Sequence, residues 1–385
     1  MDQHELSFIL NQLGETREQY FGAVTPPIMQ TSNFAFPTVA QMRALLQDEF
    51  AEHFYTRGNN PTVAILRQKL AALEAAEQAL VFASGAAAMA AAVLGFVSQG
   101  DEVLCVAKPY SWTRSLLRDY LPRFGVRTHF VEGGSCADYE KAWTPSTRLV
   151  VLESPNSMTF EQQDLPGIAA LARSRGALSV VDNSYASPLL QQPIKLGIDL
   201  VVHSASKYLN GHSDVVAGVI CGREELLRQI FRGPYMTLGA IAAPFDAWLM
   251  LRGLRTLEVR MQRICQTATQ VRAWLQAHPK IRRIWAADPE ASLGALKAQS
   301  GMFSIELAVE ELAGVERFCN SLRHFLMAVS WGGHESLIFP LACVLDEARY
   351  RQGAGGLPFG LVRLSIGLEA PEVLIEDLAQ ALNCI

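Results

Sequence analysis

Hydrophobic positions fall into different patterns along the chain. Through the middle third, short and nearly continuous apolar runs recur at 80–82, 102–106, 127–131, 147–152, 177–181, 200–202 and 215–221. Runs of this length and character predict strands buried on both faces. Helical patterns lie between them, at 84–97, from 110 to about 121, within 133–143, and at 165–173. Strand and helix in alternation predict a mostly parallel sheet flanked by helices. From about residue 235 the pattern changes. Leu249, Leu251, Leu254 and Leu257 predict one long helix from 243 that continues past Arg260 to Leu275. Residues 301–308 alternate like a half-buried strand, 315–325 reads as a helix, 361–367 as an apolar strand interrupted by Arg363, and 371–382 as a last helix. No repeated strand–helix–strand run occurs here, so a smaller C-terminal α/β domain is expected.

Residues 1 to about 50 are poorly periodic, and Pro26-Pro27 followed by Gln30-Thr31-Ser32-Asn33-Phe34 predicts an extended arm with a short helical piece at 39–46. Its Phe21, Phe34, Phe36 and Phe50 need a partner surface, on this chain or on a neighbouring subunit. The expected division is an arm at 1–49, a large domain at 50–237 and a small one at 238–385.

Size and composition narrow the classes. With 385 residues the chain can bury a large core and a second domain. It is 50% hydrophobic and 18% charged, with net charge -5 and no lysine/arginine block, which disfavours a nucleic-acid partner. No apolar run approaches bilayer length, and Met1 to Gln12 lacks the basic start of a signal peptide, so no membrane partner and a cytoplasmic location are expected. Seven scattered cysteines suggest neither a disulfide framework nor a metal site.

Candidate chemistry falls at strand ends. Val201-Val202-His203-Ser204-Ala205-Ser206-Lys207-Tyr208 sends an apolar strand into small hydroxyl residues and one lysine. Burial would lower that amine's pKa and leave a nucleophile suited to a Schiff base with pyridoxal phosphate (PLP), or the lysine snorkels to water. Ser84-Gly85-Ala86 joins a strand to a helix and offers free N–H groups to an anion, unless it is a plain helix start. Neither a Walker loop nor GxGxxG is present, which disfavours a nucleotide.

Tyr55 and Arg57 precede a helix capped by Asn60 with Pro61 at its first position; together they form a phosphate clamp or decorate a surface loop. Tyr110 stacks on an aromatic ligand or packs in the core, and Trp112 beside it lines a pocket. Asn156 and Ser157 are candidates for a ligand hydroxyl. Asp182 wants a cation, such as a protonated pyridine nitrogen, or it caps a turn. The glycine-rich loop Ser330-Trp331-Gly332-Gly333-His334-Glu335-Ser336 reads as a ligand lining. Arg363 suits a substrate carboxylate or a structural ion pair.

Tyr55-Thr56-Arg57 with Asn60-Pro61-Thr62, Ser84-Gly85, Val181-Asp182-Asn183 and Ser204-Ala205-Ser206-Lys207-Tyr208 with Gly211-His212-Ser213-Asp214 together resemble the Cys/Met-metabolism family of PLP enzymes, over essentially the whole chain. The resemblance implies a fold-type I PLP-dependent transferase architecture. It implies that Lys207 forms the Schiff base and moves protons, that Asp182 meets the ring nitrogen, and that Tyr110 stacks on the ring and assists proton transfer. Gly85, Ala86, Ser84, Ser204 and Ser206 would hold the phosphate, with Tyr55 and Arg57 reaching that of a neighbouring subunit. Arg363, aided by Ser330, would bind the amino-acid carboxylate, and Trp331 would border the substrate. Ser157 stands where many members place an asparagine against the cofactor hydroxyl. A homo-oligomer, a tetramer built as a dimer of dimers, would follow.

The segments 153–160 and 330–338 look most like bacterial cystathionine β-lyases. The expectation is therefore a carbon–sulfur lyase that cleaves cystathionine, or a related cysteine conjugate, by β-elimination to a thiol, pyruvate and ammonia. The alternatives on the same residues are γ-replacement, as in cystathionine γ-synthase or O-acylhomoserine sulfhydrylase, and γ-elimination, as in methionine or cystathionine γ-lyase. An aminotransferase fits the lysine neighbourhood less well. The intact lysine, aspartate and arginine argue against a non-catalytic protein.

Overall fold

The computed structural model describes residues 1–291, 293–344 and 356–385. Its larger sheet has seven strands: β1 (Gln78–Phe82), β2 (Glu102–Val106), β3 (Arg127–Val131), β4 (Thr147–Glu153), β5 (Leu178–Asp182), β6 (Leu200–Ser204) and β7 (Gly218–Gly222). The order across the sheet is β1-β7-β6-β5-β4-β2-β3. β2 to β6 run parallel, whereas β7 lies antiparallel to both β6 and β1. Most strand residues here are fully buried, as expected of a sheet covered on both sides. One apolar core on each face accounts for that. The first is built on Leu66, Leu70, Leu104, Val150 and Val201, the second on Leu80, Val103, Leu149, Val180 and Ile220.

This topology brings strand ends to one edge. Parallel strands end in Glu153, Asp182 and Ser204, and the Gly85–Leu94 helix begins just beyond β1. Ser204 and Gly218 are register partners, so the loop 205–217, which carries Lys207, leaves and re-enters the sheet at adjacent positions. Open parallel sheets bind ligands at this edge.

The smaller sheet has five strands: β8 (Ile281–Trp285), β9 (Met302–Leu307), β10 (Leu326–Met327), β11 (Leu337–Pro340) and β12 (Leu361–Ser365). Its order is β10-β11-β12-β9-β8, and its core joins Phe303, Ile305, Phe318, Val362 and Leu378. This is the smaller C-terminal α/β domain expected from the sequence. Among the described residues, no helix is long and apolar enough to cross a membrane.

Three local expectations are corrected. The start of the chain is a helix, Gln3–Asn11, with Asp2 accepting from the Glu5 N–H at its N-terminus. Its Leu6, Ile9 and Leu10 are buried against the Pro61–Glu74 helix. The spacing i, i+3, i+4 is helical, but one turn of it is too short to stand out in sequence. The long helix is two, Pro244–Leu254 and Leu257–Gln276. At the break, the Gly253 carbonyl accepts from the Thr256 N–H and hydroxyl and from Arg260 Nη2, so the ladder is diverted. The segment after Tyr110 holds only one short α-helix, Ser111–Ser115, before its turns widen and then tighten through Phe124.

Candidate active site

Lys207 sits half-buried just past β6. Its Nζ lies 2.5 Å from Ser330 Oγ and 5.6 Å over the ring of Trp331. Burial, helped by the nearby positive charge of Arg363 and opposed by Asp182, lowers its pKa to about 8. An amine with that pKa is a usable nucleophile near neutrality. The loop that delivers Ser330 packs tightly on the lysine backbone. A Cβ at Gly332, where φ is +80°, would come within 3.0 Å of the Tyr208 nitrogen and 3.3 Å of Lys207 Cα. Trp331 meets Tyr208 edge-on, with ring centroids 5.4 Å apart, and Tyr208 OH accepts from the Gly301 N–H at 3.1 Å.

Asp182 ends β5 beside the lysine strand. Its Oδ1 accepts from the Ser184 N–H at 2.9 Å and from the Ser184 hydroxyl at 2.5 Å, and Ser184 Oγ in turn accepts from the Ser204 N–H at 2.7 Å. No lysine or arginine pairs with this carboxylate among the described residues, so a protonated ring nitrogen would find it available. Arg363, mid-strand on β12, donates Nη2 to the Ser330 carbonyl at 2.9 Å and lies 5.2 Å over Phe339. Burial lowers its pKa to about 10, with Tyr110 and Tyr208 acting the other way. It has no acidic partner among the described residues, which leaves its fork for an incoming carboxylate.

The turn after β1 is a cradle. Ser84 Oγ accepts from the Ala87 N–H at 3.1 Å, while the N–H groups of Gly85 and Ala86 have no protein acceptor among the described residues. A Cβ on Gly85 would come within 2.8 Å of the Ser204 backbone. Only glycine lets the two segments meet and keep the N–H groups open, as a bound phosphate requires. Ser206 lies alongside, but its hydroxyl bonds the backbone of Ala217 on both sides, accepting at 2.9 Å and donating at 3.3 Å.

Tyr110, at the end of β2, is about half exposed. Burial, then the charges of Asp182 and Glu153, raise its phenol pKa. Its backbone N–H donates to Glu153 Oε2 at 2.5 Å, and the Ser157 hydroxyl donates to Glu153 Oε1 at 2.6 Å. Glu153 was not singled out from sequence. Asn156 is committed to its own loop, where Oδ1 accepts from the Glu161 N–H and the Thr159 hydroxyl. Trp112 is largely exposed and lines a cavity of about 400 Å³ together with Ala86. Tyr55 and Arg57 stand apart. They pair with each other, the guanidinium 5.3 Å from the ring centroid, and no hydrogen bond or ion pair joins them to the Lys207 group among the described residues. The arm is stitched to them through the Thr56 N–H on the Ser32 carbonyl and the Asn33–Tyr55 bridge.

The family of Cys/Met metabolism PLP-dependent enzymes matches the chain over residues 9–383. The chain is 38% identical over 379 residues to an L-methionine gamma-lyase of Pseudomonas putida, covering 96% of this chain and 95% of that one. It is 34% identical to a cystathionine gamma-lyase of Bacillus subtilis over 97% of each, and 35% identical to an O-succinylhomoserine sulfhydrylase of Pseudomonas aeruginosa, over 93% of this chain and 90% of that one. The crystal structure of metB from Corynebacterium glutamicum superposes with a TM-score of 0.89 and 32% identity, covering 98% of this chain and 97% of that one. These findings correct the expectation of β-elimination. The relatives are named as γ-lyases and a sulfhydrylase, and the loop likeness at 153–160 and 330–338 that pointed to cystathionine β-lyase is too short to outweigh full-length similarity.

Proposed function

Because the chain belongs to the Cys/Met metabolism PLP-dependent enzymes, we propose that it catalyses γ-elimination on a sulfur-bearing L-amino acid of methionine type, releasing a thiol, a 2-oxo acid and ammonia. The charges of Asp182 and Arg363 both act on the Lys207 amine, which supports PLP chemistry at this place, and full-length similarity to several γ-lyases supports γ-elimination. The residues fit the cofactor: among the described residues, the N–H groups of Gly85 and Ala86 have no acceptor and Asp182 has no cationic partner, and Lys207 offers an amine of lowered pKa.

When bound, PLP supplies an electron sink conjugated to the substrate's α-carbon. Lys207 Nζ would hold the cofactor through its aldehyde, and the same amine would take the protons at the substrate's α-carbon and β-carbon. Asp182 would keep the ring nitrogen protonated, and Tyr110 would support the ring. Ser84, Gly85, Ala86, Ser204 and Ser206 would hold the phosphate, and Ser157 would meet the ring hydroxyl. Arg363 fixes the α-carboxylate with Ser330 beside it, and Trp331 limits the space around the lysine. The Tyr110 phenol, kept protonated, donates to the departing thiolate. Tyr55 and Arg57 act on the phosphate of a second copy, in a homo-oligomer arranged as a dimer of dimers. No hydrogen bond or ion pair joins them to Lys207 within one chain among the described residues, which fits a role toward a second copy.

Incubation with L-methionine tests the proposal. Release of 2-oxobutyrate and methanethiol is expected, and an absence of both overturns it. The similarity to an O-succinylhomoserine sulfhydrylase favours a second reading, γ-replacement. Incubation with O-succinylhomoserine and sulfide separates the two, since replacement yields homocysteine without ammonia.

A further inference from the structure

Glu153 is a buried carboxylate to which the proposed chemistry gives no part, yet it touches two of the site's elements and faces a third. It ends β4, only 8% exposed, and its register partner on β5 is Asp182. Register partners on neighbouring parallel strands project to the same face. One oxygen accepts from the Tyr110 N–H, and the other from the Ser157 hydroxyl. The groups that face it are Asp182 on β5, Tyr110 beyond β2, Cys105 within β2 and Ser157 on its own loop. None is a cation, and no lysine or arginine pairs with it among the described residues. The Lys207 charge reaches Asp182 but pairs with neither carboxylate among the described residues, and two carboxylates side by side disfavour a second negative charge.

We propose that Glu153 is a positioning residue that holds the Tyr110 backbone, retains a proton near neutrality and thereby ties the Ser157 hydroxyl to the charge placed beside Asp182. Burial, then Asp182, raise the Glu153 pKa to about 8, in agreement with the geometry. With the proton present, Glu153 donates to Ser157 Oγ and the serine's own proton is free to turn toward a ligand. With the proton lost, Ser157 must donate to Glu153. In both states the second oxygen still accepts from Tyr110. A positive ring nitrogen at Asp182 relieves the repulsion, so cofactor binding and the Glu153 proton are linked. This last link, and the roles of Tyr110 and Ser157 toward a ligand, rest on the reading above. The retained proton does not.

The test compares wild type with Glu153→Gln, Glu153→Ala and Ser157→Ala. The first measurement is the thermal midpoint of the cofactor-free protein against pH. A carboxyl whose folded pKa is raised stabilises fully below its unfolded pKa and loses that contribution as pH rises through the folded value. Wild type should therefore lose stability relative to Glu153→Gln between about pH 5 and about pH 8, and the two curves should run parallel above that range. Ser157→Ala removes a bond to the anion and should move the loss to higher pH. It reads the same proton if Glu153→Gln does not fold. The second measurement is PLP affinity by fluorescence titration. Glu153→Ala should weaken it about tenfold or more, and Glu153→Gln, which can keep both hydrogen bonds, should restore most of it. Parallel stability curves throughout overturn the retained proton. Equal affinity of Glu153→Ala and wild type overturns the positioning role. If no variant and no wild type binds PLP, the functional reading fails, and the stability curves still decide the proton.

Discussion

The Lys207 amine and the Ser330 hydroxyl lie 2.5 Å apart, joining the edge of the large sheet to a loop of the small domain. The same Ser330 gives its carbonyl to Arg363. One residue thus touches both the amine proposed to hold the cofactor and the guanidinium proposed to hold the substrate. Its φ of 81° is uncommon for a residue with a side chain, and the strained backbone lets hydroxyl and carbonyl serve different partners.

The amine should control loading of the cofactor. Only the neutral form attacks an aldehyde, and the Lys207 pKa is lowered to about 8. The rate of reconstitution with PLP should rise about tenfold per pH unit below that value and level off above it. Ser330→Ala removes an acceptor that favours the charged amine, so its midpoint should fall. Stopped-flow absorbance at the imine band measures both. Lys207→Ala should form no band and leave no pyridoxyl group after borohydride reduction.

Gly85→Ala should damage the phosphate cradle. Its Cβ would press to within 2.8 Å of the Ser204 backbone, which cannot yield as a flexible side-chain end could. The turn must move, and the N–H groups of Gly85 and Ala86 lose their aim. A loss of PLP affinity of about tenfold or more is expected. Binding equal to wild type by equilibrium dialysis would refute the assignment of this turn.

Arg363→Ala should raise KM far more than it lowers kcat. A guanidinium on a carboxylate makes charge-assisted bonds worth about 1.5–3 kcal/mol each, so a rise in KM of about 100-fold is expected. Arg363→Lys should recover only part, because an ammonium cannot reproduce the planar fork. PLP affinity should change little in either variant.

Lys69→Met should destabilise the start of the chain. The Lys69 amine is buried, 3.2 Å from Glu15, and donates to the Ile9 carbonyl at 2.9 Å and the Leu10 carbonyl at 3.3 Å. It closes the end of the Gln3–Asn11 helix. Glu15 keeps Arg17 and Arg255, so the loss is that of the bonds to the helix end, about 1–3 kcal/mol. Urea unfolding should show the loss, and limited proteolysis should cut first within residues 1–20.

Much of the architecture was legible because buried parallel strands announce themselves as uninterrupted apolar runs. Leu200 to Val202 and Leu149 to Leu152 lie within the strands expected there, and Asn60 caps the Pro61–Glu74 helix with its oxygen 3.0 Å from the Thr62 nitrogen. β8, β10 and β11 were not read. β8 carries exposed Arg282 and Arg283 at adjacent positions, and β10 is only Leu326–Met327, so neither shows an apolar run. Such strands owe their existence to the neighbours they pair with.

The candidate site was legible where its residues follow strand ends, as Gly85, Asp182 and Lys207 do. Glu153 was not, although it ends an expected strand. Its importance lies in meeting the Tyr110 backbone, which is distant in sequence, and in facing Asp182 across a register that only folding sets. The reaction itself was misread because a short loop likeness was weighed above the whole chain.

The reversed direction of β7 has a mechanical consequence. The Lys207 loop is pinned where it leaves β6 and again where it enters β7, and those two strands are zipped to each other from Ser204–Gly218 to Leu200–Gly222. A helical crossover would leave one end of such a segment free to fray with its helix. Here the segment cannot peel away without unzipping the middle of the large sheet. The amine proposed to hold the cofactor therefore swings at the tip of a side chain whose base is anchored between two paired, buried strands.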